Sequence, residues 1–125
     1  MSKRNTSQRR AIREAFLSTD RPLSTQEVLE RAQEYKTGLG IATVYRTLKM
    51  LIDEGWLETV KLPGMPPRYE IAGKPHHHHF YCNKCGKAFE VPGCPELLTR
   101  VVPAEFQLED HDLVLYGTCS GCNSH

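Results

Sequence analysis

The stretch that decides the fold is "GIATVYRTLKMLIDEGWLETVKLPGMPPRYEI", residues 40–71. Its first half predicts a helix, because apolar residues recur at i, i+4, i+7 and i+8: Val44, Leu48, Leu51 and Ile52. Gly55 suits the left-handed residue that ends such a helix. The second half predicts a hairpin, because the strand-like runs 56–62 and 68–71 flank the turn-rich segment 63–67.

Two more helices are predicted upstream of this stretch. Residues 5–20, "NTSQRRAIREAFLSTD", place four apolar residues on one face: Ala11, Ile12, Ala15 and Phe16. Residues 21–35, "RPLSTQEVLERAQEY", open with Ser24 and Glu27 at the spacing of a capping box. Three helices and a hairpin form the layout of a winged helix-turn-helix, which lays its third helix in the DNA major groove.

The outward face of the third helix is the candidate DNA-binding surface. It carries side chains that can contact base edges or phosphates: Thr43, Tyr45, Arg46 and Lys49. The alternative is an ordinary solvated polar face. The charge distribution favours DNA, because residues 1–50 hold 10 Lys and Arg against 5 Asp and Glu. Residues 72–125 hold 4 against 6, so the two halves are expected to have different partners.

The composition, 39% hydrophobic and 25% charged, is typical of a globular protein. The sequence contains no apolar run long enough for a membrane span and no apolar N-terminal signal. We therefore expect a cytoplasmic protein with no membrane partner, in a compartment that keeps thiols reduced.

Two Cys-x-x-Cys pairs, 33 residues apart, give the strongest chemical signal: Cys82, Cys85, Cys119 and Cys122. Four thiolates in this pattern predict a closed, tetrahedral structural zinc site. The alternative is two separate redox pairs. A fifth cysteine, Cys94, lies between them.

Residues 77–125 are predicted to form a small α/β domain. Residues 78–82 and 87–91 read as short strands, and residues 111–119 as a β-rich run with alternating side chains. Residues 95–106 predict a short helix that is interrupted near Pro103. A half of this size buries little apolar area. We therefore expect it to be stabilised by the zinc ion and by a second copy of the chain, in a homodimer.

The run His76–His79 is the second candidate metal-binding element. In a strand, His77 and His79 would share one face and His76 and His78 the other. One run can therefore supply ligands to two metal sites. Further candidate ligands are His111, Glu70, Glu90 and Glu96. Such donors suit Zn²⁺, Fe²⁺, Mn²⁺ or Ni²⁺. The alternatives are a remnant of an expression tag and a polar edge strand without bound metal.

Four segments together resemble the ferric uptake regulator (Fur) superfamily of bacterial metal-responsive repressors: "GIATVYRTLKML", "PRYE", "HHHHFYCNKCGKAFEV" and "HDLVLYGTCSGC". The resemblance covers nearly the whole chain. It implies a winged-helix DNA-binding domain at residues 1–71, a hinge at 72–76 and a metal-binding α/β dimerisation domain at 77–125.

The resemblance also implies roles for particular residues. Cys82, Cys85, Cys119 and Cys122 match the structural zinc site. The regulatory metal site corresponds to Glu70, His77, His79 and Glu90. A second site corresponds to His76, His78, Glu96 and His111. Tyr45 and Arg46 match the DNA-facing residues of the recognition helix.

Two features depart from the family pattern. Many members carry a histidine just before the second helix that completes the regulatory site, whereas this chain has Arg21, Pro22 and Leu23. Cys94 is an additional thiol, which as a ligand would favour zinc over ferrous iron. Alternatively, Cys94 is a small residue with no metal-binding role.

We therefore expect a metal-dependent transcriptional repressor of metal-homeostasis genes that binds a two-fold symmetric DNA operator as a homodimer. Its cofactors would be structural Zn²⁺ and regulatory Zn²⁺ or Fe²⁺, with Mn²⁺ also possible. One alternative is a zinc-binding interaction or metal-storage module without DNA binding. The other is a zinc enzyme, which we disfavour because the sequence lacks H-E-x-x-H and neither Cys pair follows a proline.

Overall fold

The computed structural model describes residues 3–93 and 97–123. The chain divides into two compact units, Met1–Gly73 and Lys74–His125. The first contains α1 (Lys3–Leu17), α2 (Thr25–Ala32), α3 (Ile41–Asp53), β1 (Leu57–Val60) and β2 (Arg68–Ile71). The second contains β3 (His77–Cys82), β4 (Ala88–Pro92), α4 (Leu97–Arg100), β5 (Val114–Gly117) and α5 (Ser120–Asn123). Helices and strands are mixed, as the sequence predicts. Within the described ranges, no helix has the length and apolar character needed to cross a membrane.

The core of the first unit lies between its three helices and the hairpin. The predicted apolar face of α1 is buried: Ala11, Ile12, Ala15 and Phe16. From α3 it receives Val44, Leu48 and Leu51, at the predicted helical spacing. Each such aliphatic side chain contributes about 1.5–3 kcal/mol when it is fully buried. The three helices are therefore held together mainly by apolar contact.

The helix ends in this unit follow local sequence signals. The Glu27 backbone N–H donates to Ser24 Oγ at 3.2 Å, and the Ser24 N–H donates to Glu27 Oε1 at 3.0 Å. These two bonds confirm the capping box at the start of α2. Helix α3 ends at Asp53, and Gly55 follows in the left-handed conformation with φ of 80°. A side chain there would be strained, which is why glycine suits this position.

The hairpin is antiparallel and pairs Leu57 with Ile71 and Val60 with Arg68. Its first strand is shorter than the predicted run 56–62. The segment before α2 adds a bridge to it, because Leu23 and Tyr69 exchange backbone hydrogen bonds of 2.8 and 2.9 Å. No local sequence pattern predicts this bridge. It ties the start of α2 directly to β2.

The second unit is built on a three-stranded sheet of order β4-β3-β5. Strand β3 pairs antiparallel with β4 and parallel with β5. Helix α4 is a single turn that ends at Arg100, before Pro103. Strand β5 covers part of the predicted β-rich run, and its neighbouring side chains Leu115 and Tyr116 are both exposed. In the described part of this sheet, β5 is an edge strand, where solvent reaches both faces.

Among the described residues of the second unit, the only buried apolar ones are Cys82 and Ala88. Close packing also occurs at Gly117, where an added Cβ would lie 3.0 Å from the Phe80 ring. Large apolar side chains remain exposed: Val101, Phe106, Leu108, Leu115 and Tyr116. A unit of this size with so thin a core needs a cross-link, a metal or a partner for stability.

Candidate metal centres and nucleic-acid interface

The four predicted zinc ligands meet at one end of the β3–β5 pair. Cys82 ends β3, Cys85 follows in the turn toward β4, and Cys119 and Cys122 flank the start of α5. The four Sγ atoms all lie within 4.8 Å of one another. Cys85 Sγ and Cys119 Sγ are 3.8 Å apart. A tetrahedron with Zn–S bonds of about 2.3 Å has edges of about 3.8 Å, so the donor set fits a zinc ion.

Hydrogen bonds prepare one of these thiols to lose its proton. The backbone N–H groups of Cys85 and Cys119 donate to Cys82 Sγ at 3.4 and 3.3 Å. They lower the pKa of Cys82 to about 6, although burial opposes the shift. The hydrogen bond to Cys119, with burial, raises the pKa of Cys122 to about 12. Four thiolates this close repel one another, so full deprotonation requires a cation at the centre.

A second cluster, of three histidines, lies near the start of β3, away from the end that carries Cys82. His76 Nε2 lies 3.2 Å from His78 Nε2 and 3.2 Å from His111 Nε2. His111 is 35 residues away in sequence, and it is brought close by the parallel pairing of β3 with β5. Glu96, the fourth residue predicted for this site, lies outside the described residues, as does Cys94. The three ring nitrogens alone can hold a divalent ion.

Charge and burial favour metal binding at this cluster. Burial of His78 lowers its pKa, and the neighbouring imidazoles of His76 and His111 lower it further. Asp112 acts in the opposite direction. The His78 ring is therefore held neutral at physiological pH, and a neutral imidazole is the form that binds metal.

His77 and His79 lie on the opposite face of β3, with ring centroids 4.9 Å apart. His77 Nδ1 lies 2.8 Å from the Pro75 carbonyl oxygen, to which its N–H donates. This bond orients the ring and leaves Nε2 as the donor atom for a metal. The alternation predicted for the four-histidine run is therefore present in the strand.

The two carboxylate ligands predicted for the regulatory site are in different units. Glu90 is directly opposite His79 in the β3–β4 register, so its side chain shares the face of His77 and His79. Its carboxylate is paired with the ammonium of Lys74. Glu70 is a buried residue of β2, opposite Glu58 in the first unit.

Arg21, one of the three residues before α2 that stand where the resemblance led us to look for a histidine, has a structural partner. Its guanidinium pairs with Glu27 at 2.8 Å, and Arg68 of β2 lies 3.9 Å from the same carboxylate. Burial would raise the pKa of Glu27, but the Ser24 N–H and the Arg21 guanidinium outweigh it and lower the pKa. The capping box predicts Glu27 at the start of α2, but no local sequence pattern predicts its pairing with Arg21.

The predicted DNA-contacting residues share one surface of α3. Tyr45, Arg46 and Lys49 are exposed, and Thr43 is half-buried. Arg46 Nη2 donates to Thr43 Oγ1 at 3.1 Å, which orients the guanidinium along the helix. The buried residues of α3 lie on the other side, so this face is available to a partner.

A sequence model described as the ferric uptake regulator family matches residues 1–116. The ferric uptake regulation protein of Campylobacter upsaliensis is 39% identical over 93 residues, which cover 72% of this chain and 60% of that protein. The protein of the same name from Campylobacter jejuni is 32% identical over 124 residues, with coverages of 95% and 79%.

Solved structures give the same family. The chain resembles the Helicobacter pylori ferric uptake regulator Fur, which has three functional metal-binding sites (TM-score 0.70, 29% identity, coverages of 94% and 81%). It also resembles a zinc-bound manganese uptake regulator (TM-score 0.82, 30% identity, coverages of 95% and 89%). Its mixed fold and C-terminal cysteine cluster agree with these likenesses. The match over residues 1–116 shows that the chain belongs to the ferric uptake regulator family.

Proposed function

We propose that the protein is a metal-dependent transcriptional repressor of metal-homeostasis genes, which binds a two-fold symmetric DNA operator as a homodimer. One observation carries most of the proposal: His76 and strand β3 together present two histidine pairs on opposite faces, and β3 ends at Cys82 of the four-cysteine cluster. This density of metal donors, in a chain of this family, is best explained by metal sensing.

We assign a structural zinc ion to the four-cysteine cluster. Cys82 ends β3, Cys85 lies between β3 and β4, and Cys119 and Cys122 follow β5, so a zinc ion held by them would join the three strands. A bound zinc ion supplies the positive charge that four thiolates need. The thin core of this unit supports a stabilising role for the bound ion.

We assign the regulatory metal to Glu70, His77, His79 and Glu90, and a second metal to His76, His78 and His111, with Glu96. Both assignments extend the family resemblance to these residues. The ring geometry of the two histidine groups within the second unit supports them. Imidazole and carboxylate donors accept Zn²⁺, Fe²⁺ or Mn²⁺. Related structures are a zinc-bound manganese uptake regulator and a ferric uptake regulator from Francisella tularensis with iron.

DNA binding is assigned to the first unit as a winged helix-turn-helix. Its three helices and its hairpin occur in the order of that motif, with α3 in the place of the recognition helix. Thr43, Tyr45, Arg46 and Lys49 would contact base edges and phosphates. Phosphate contacts would supply much of the affinity, so binding should weaken steeply with salt.

Dimer formation is assigned to the second unit. The exposed apolar residues there include Leu115 and Tyr116 on β5, a described edge strand, and a second copy could cover them. A symmetric dimer would also present two copies of α3 to a two-fold operator.

The metal would act through the hinge predicted at residues 72–76, which includes the boundary between the two units. Glu70 lies on one side of this segment and His77, His79 and Glu90 on the other. Ligands from both sides of a hinge would restrict its motion and favour one arrangement of the DNA-binding units. A metal that tightens DNA binding about 100-fold would correspond to roughly 2.7 kcal/mol of coupling free energy.

The second candidate is a zinc-binding or metal-storage module without DNA binding. The same histidine and cysteine clusters would serve it, but it gives no role to the exposed face of α3. The family's members are regulators, and we propose no catalytic activity. The cytoplasmic location expected from the sequence follows from the proposed action on chromosomal DNA.

The test combines DNA selection with anisotropy. Duplexes are selected from a random library in the presence of Zn²⁺. Their affinity is then measured at fixed salt with Zn²⁺, Fe²⁺, Mn²⁺ or Ni²⁺ buffered at physiological free concentrations, on protein that retains its structural zinc. We expect one metal to tighten binding and His77→Ala to abolish the response while the circular dichroism spectrum stays unchanged. Equal binding with and without metal would refute the switch, and metal binding without any selected DNA would favour the storage module.

A further inference from the structure

One ion pair in the second unit involves a proposed metal ligand. Lys74 Nζ donates to Glu90 Oε1, and the pair links the start of this unit to β4. Both side chains are shielded from solvent, with 25% and 19% of their surfaces exposed. Shielding weakens the screening by water and salt, so this pair is stronger than a typical surface pair.

The position of Glu90 gives this pair a functional consequence. Glu90 is directly opposite His79 in the β3–β4 register, on the face that also carries His77. Imidazole and carboxylate donors suit a divalent ion, but the Glu90 carboxylate, paired with Lys74, is not among the described donor groups whose ligand atoms lie within 4.8 Å of one another. The Lys74 ammonium already neutralises the only carboxylate of the proposed regulatory site that belongs to the second unit. A metal and the ammonium would therefore compete for the same carboxylate.

We propose that Lys74 is a built-in competitor for the regulatory metal, which occupies Glu90 when metal is scarce and must be displaced before Glu90 can bind the ion. This inference rests on the regulatory site proposed above. Lys74 would raise the metal concentration at which the protein responds. It would act as a positioning and threshold-setting residue, because a lysine ammonium has no lone pair with which to bind the ion itself.

The size of the effect follows from the charges. Lys74→Met keeps a flexible side chain of similar length and removes the positive charge. It frees the carboxylate and also removes the repulsion between an ammonium and a divalent ion. For a partly shielded pair we expect metal binding about three- to tenfold tighter. Lys74→Arg retains the charge, so its affinity should stay near that of the unsubstituted protein.

The experiment measures metal affinity directly, without DNA. Full-length protein that retains its structural zinc is titrated with Zn²⁺ against a fluorescent chelator, and with Co²⁺ by its ligand-field absorption. The part of the binding that His77→Ala abolishes defines the regulatory site. Lys87→Met is the matched control, because Lys87 is an exposed lysine of the same unit that precedes β4. We expect Lys74→Met to tighten binding at that site, and Lys87→Met to leave it unchanged.

A double-mutant cycle with Glu90→Gln tests whether the effect runs through the carboxylate. If Lys74 acts by occupying Glu90, the gain from Lys74→Met should shrink when Glu90 is already neutral. Unchanged or weaker binding in Lys74→Met, with normal His77-dependent binding in the parent protein, would overturn the inference and leave the proposed function standing. Absence of any His77-dependent metal binding in the parent would overturn both.

Discussion

Replacing Cys119 by alanine should unfold the second unit and leave the first one folded. Cys119 supplies one of four Sγ atoms within 4.8 Å of one another, and its backbone N–H also donates to Cys82 Sγ. The substitution removes a zinc ligand at the end of the sheet, whereas the backbone N–H of residue 119 remains. Ser120→Ala is the matched control, because Ser120 is the exposed neighbour at the start of α5.

The free energy that zinc contributes to the folded second unit can be estimated from its small core and its long loop. Joining Cys85 to Cys119 through a metal closes a loop with 33 intervening residues. By the chain-entropy relation such a closure stabilises a fold by about 4 kcal/mol. A typical unit of about 50 residues has a free energy of unfolding of roughly 3–8 kcal/mol. The described part of this unit buries only Cys82 and Ala88 among its apolar residues. We therefore expect its free energy of unfolding to lie at the lower end of that range.

Hydrogen exchange read by mass spectrometry or NMR distinguishes the two units. The reporter amides are Asn83, whose N–H donates to Gly117 O at 2.8 Å, and His79, whose N–H donates to Leu113 O at 3.3 Å. In Cys119→Ala, and in the parent protein treated with a strong chelator, both should lose protection, whereas amides within α1 and α3 should keep it. If the reporter amides stay protected in both cases, the reasoning that zinc stabilises this unit is wrong.

Three further predictions concern single side chains. Arg46→Ala should weaken specific DNA binding by about 1–3 kcal/mol in anisotropy titrations without lowering the melting temperature, because the side chain is exposed on α3. The folded-state pKa of Glu27 lies below its ordinary value of 4.5, so its stabilising effect is complete above that pH and is lost as the pH falls through the folded-state pKa. Melting curves of Glu27→Gln should therefore lose part of the acid sensitivity of the parent, and an unchanged acid dependence would contradict the assignment. His78→Ala should abolish metal binding at the cluster with His76 and His111, which elemental analysis of the loaded protein would detect, and retention of that ion would argue against the second site.

Several features followed from sequence because they depend on neighbouring residues. The apolar residues of α1 recur at helical spacing, and the capping box of α2 is a signal of four consecutive residues. Both appear as predicted. The opposite faces of the histidine run follow from the two-residue period of a strand. The Cys-x-x-Cys spacing brings two sulfurs together within each knuckle. In each case a few consecutive residues carry the whole signal.

Other features depended on packing between distant segments. The helical periodicity of the sequence could not show that Leu23 bridges to Tyr69, or that Arg21 pairs with Glu27. Lys74 precedes the histidine run in sequence, but its partner Glu90 is 16 residues away on the neighbouring strand. Such pairs arise from strand register and side-chain packing, which a single sequence does not reveal.

By itself, then, the sequence determined the mixed helix and strand order, the metal-binding residue types and the family pattern, because these are encoded by local spacing and composition. The tertiary structure decided which donors meet: His111 joins His76 and His78 only because β5 pairs in parallel with β3. It also placed the Lys74 ammonium on the Glu90 carboxylate. Which charges neutralise one another depends on distances across the sheet, and those distances exist only once the strands have paired.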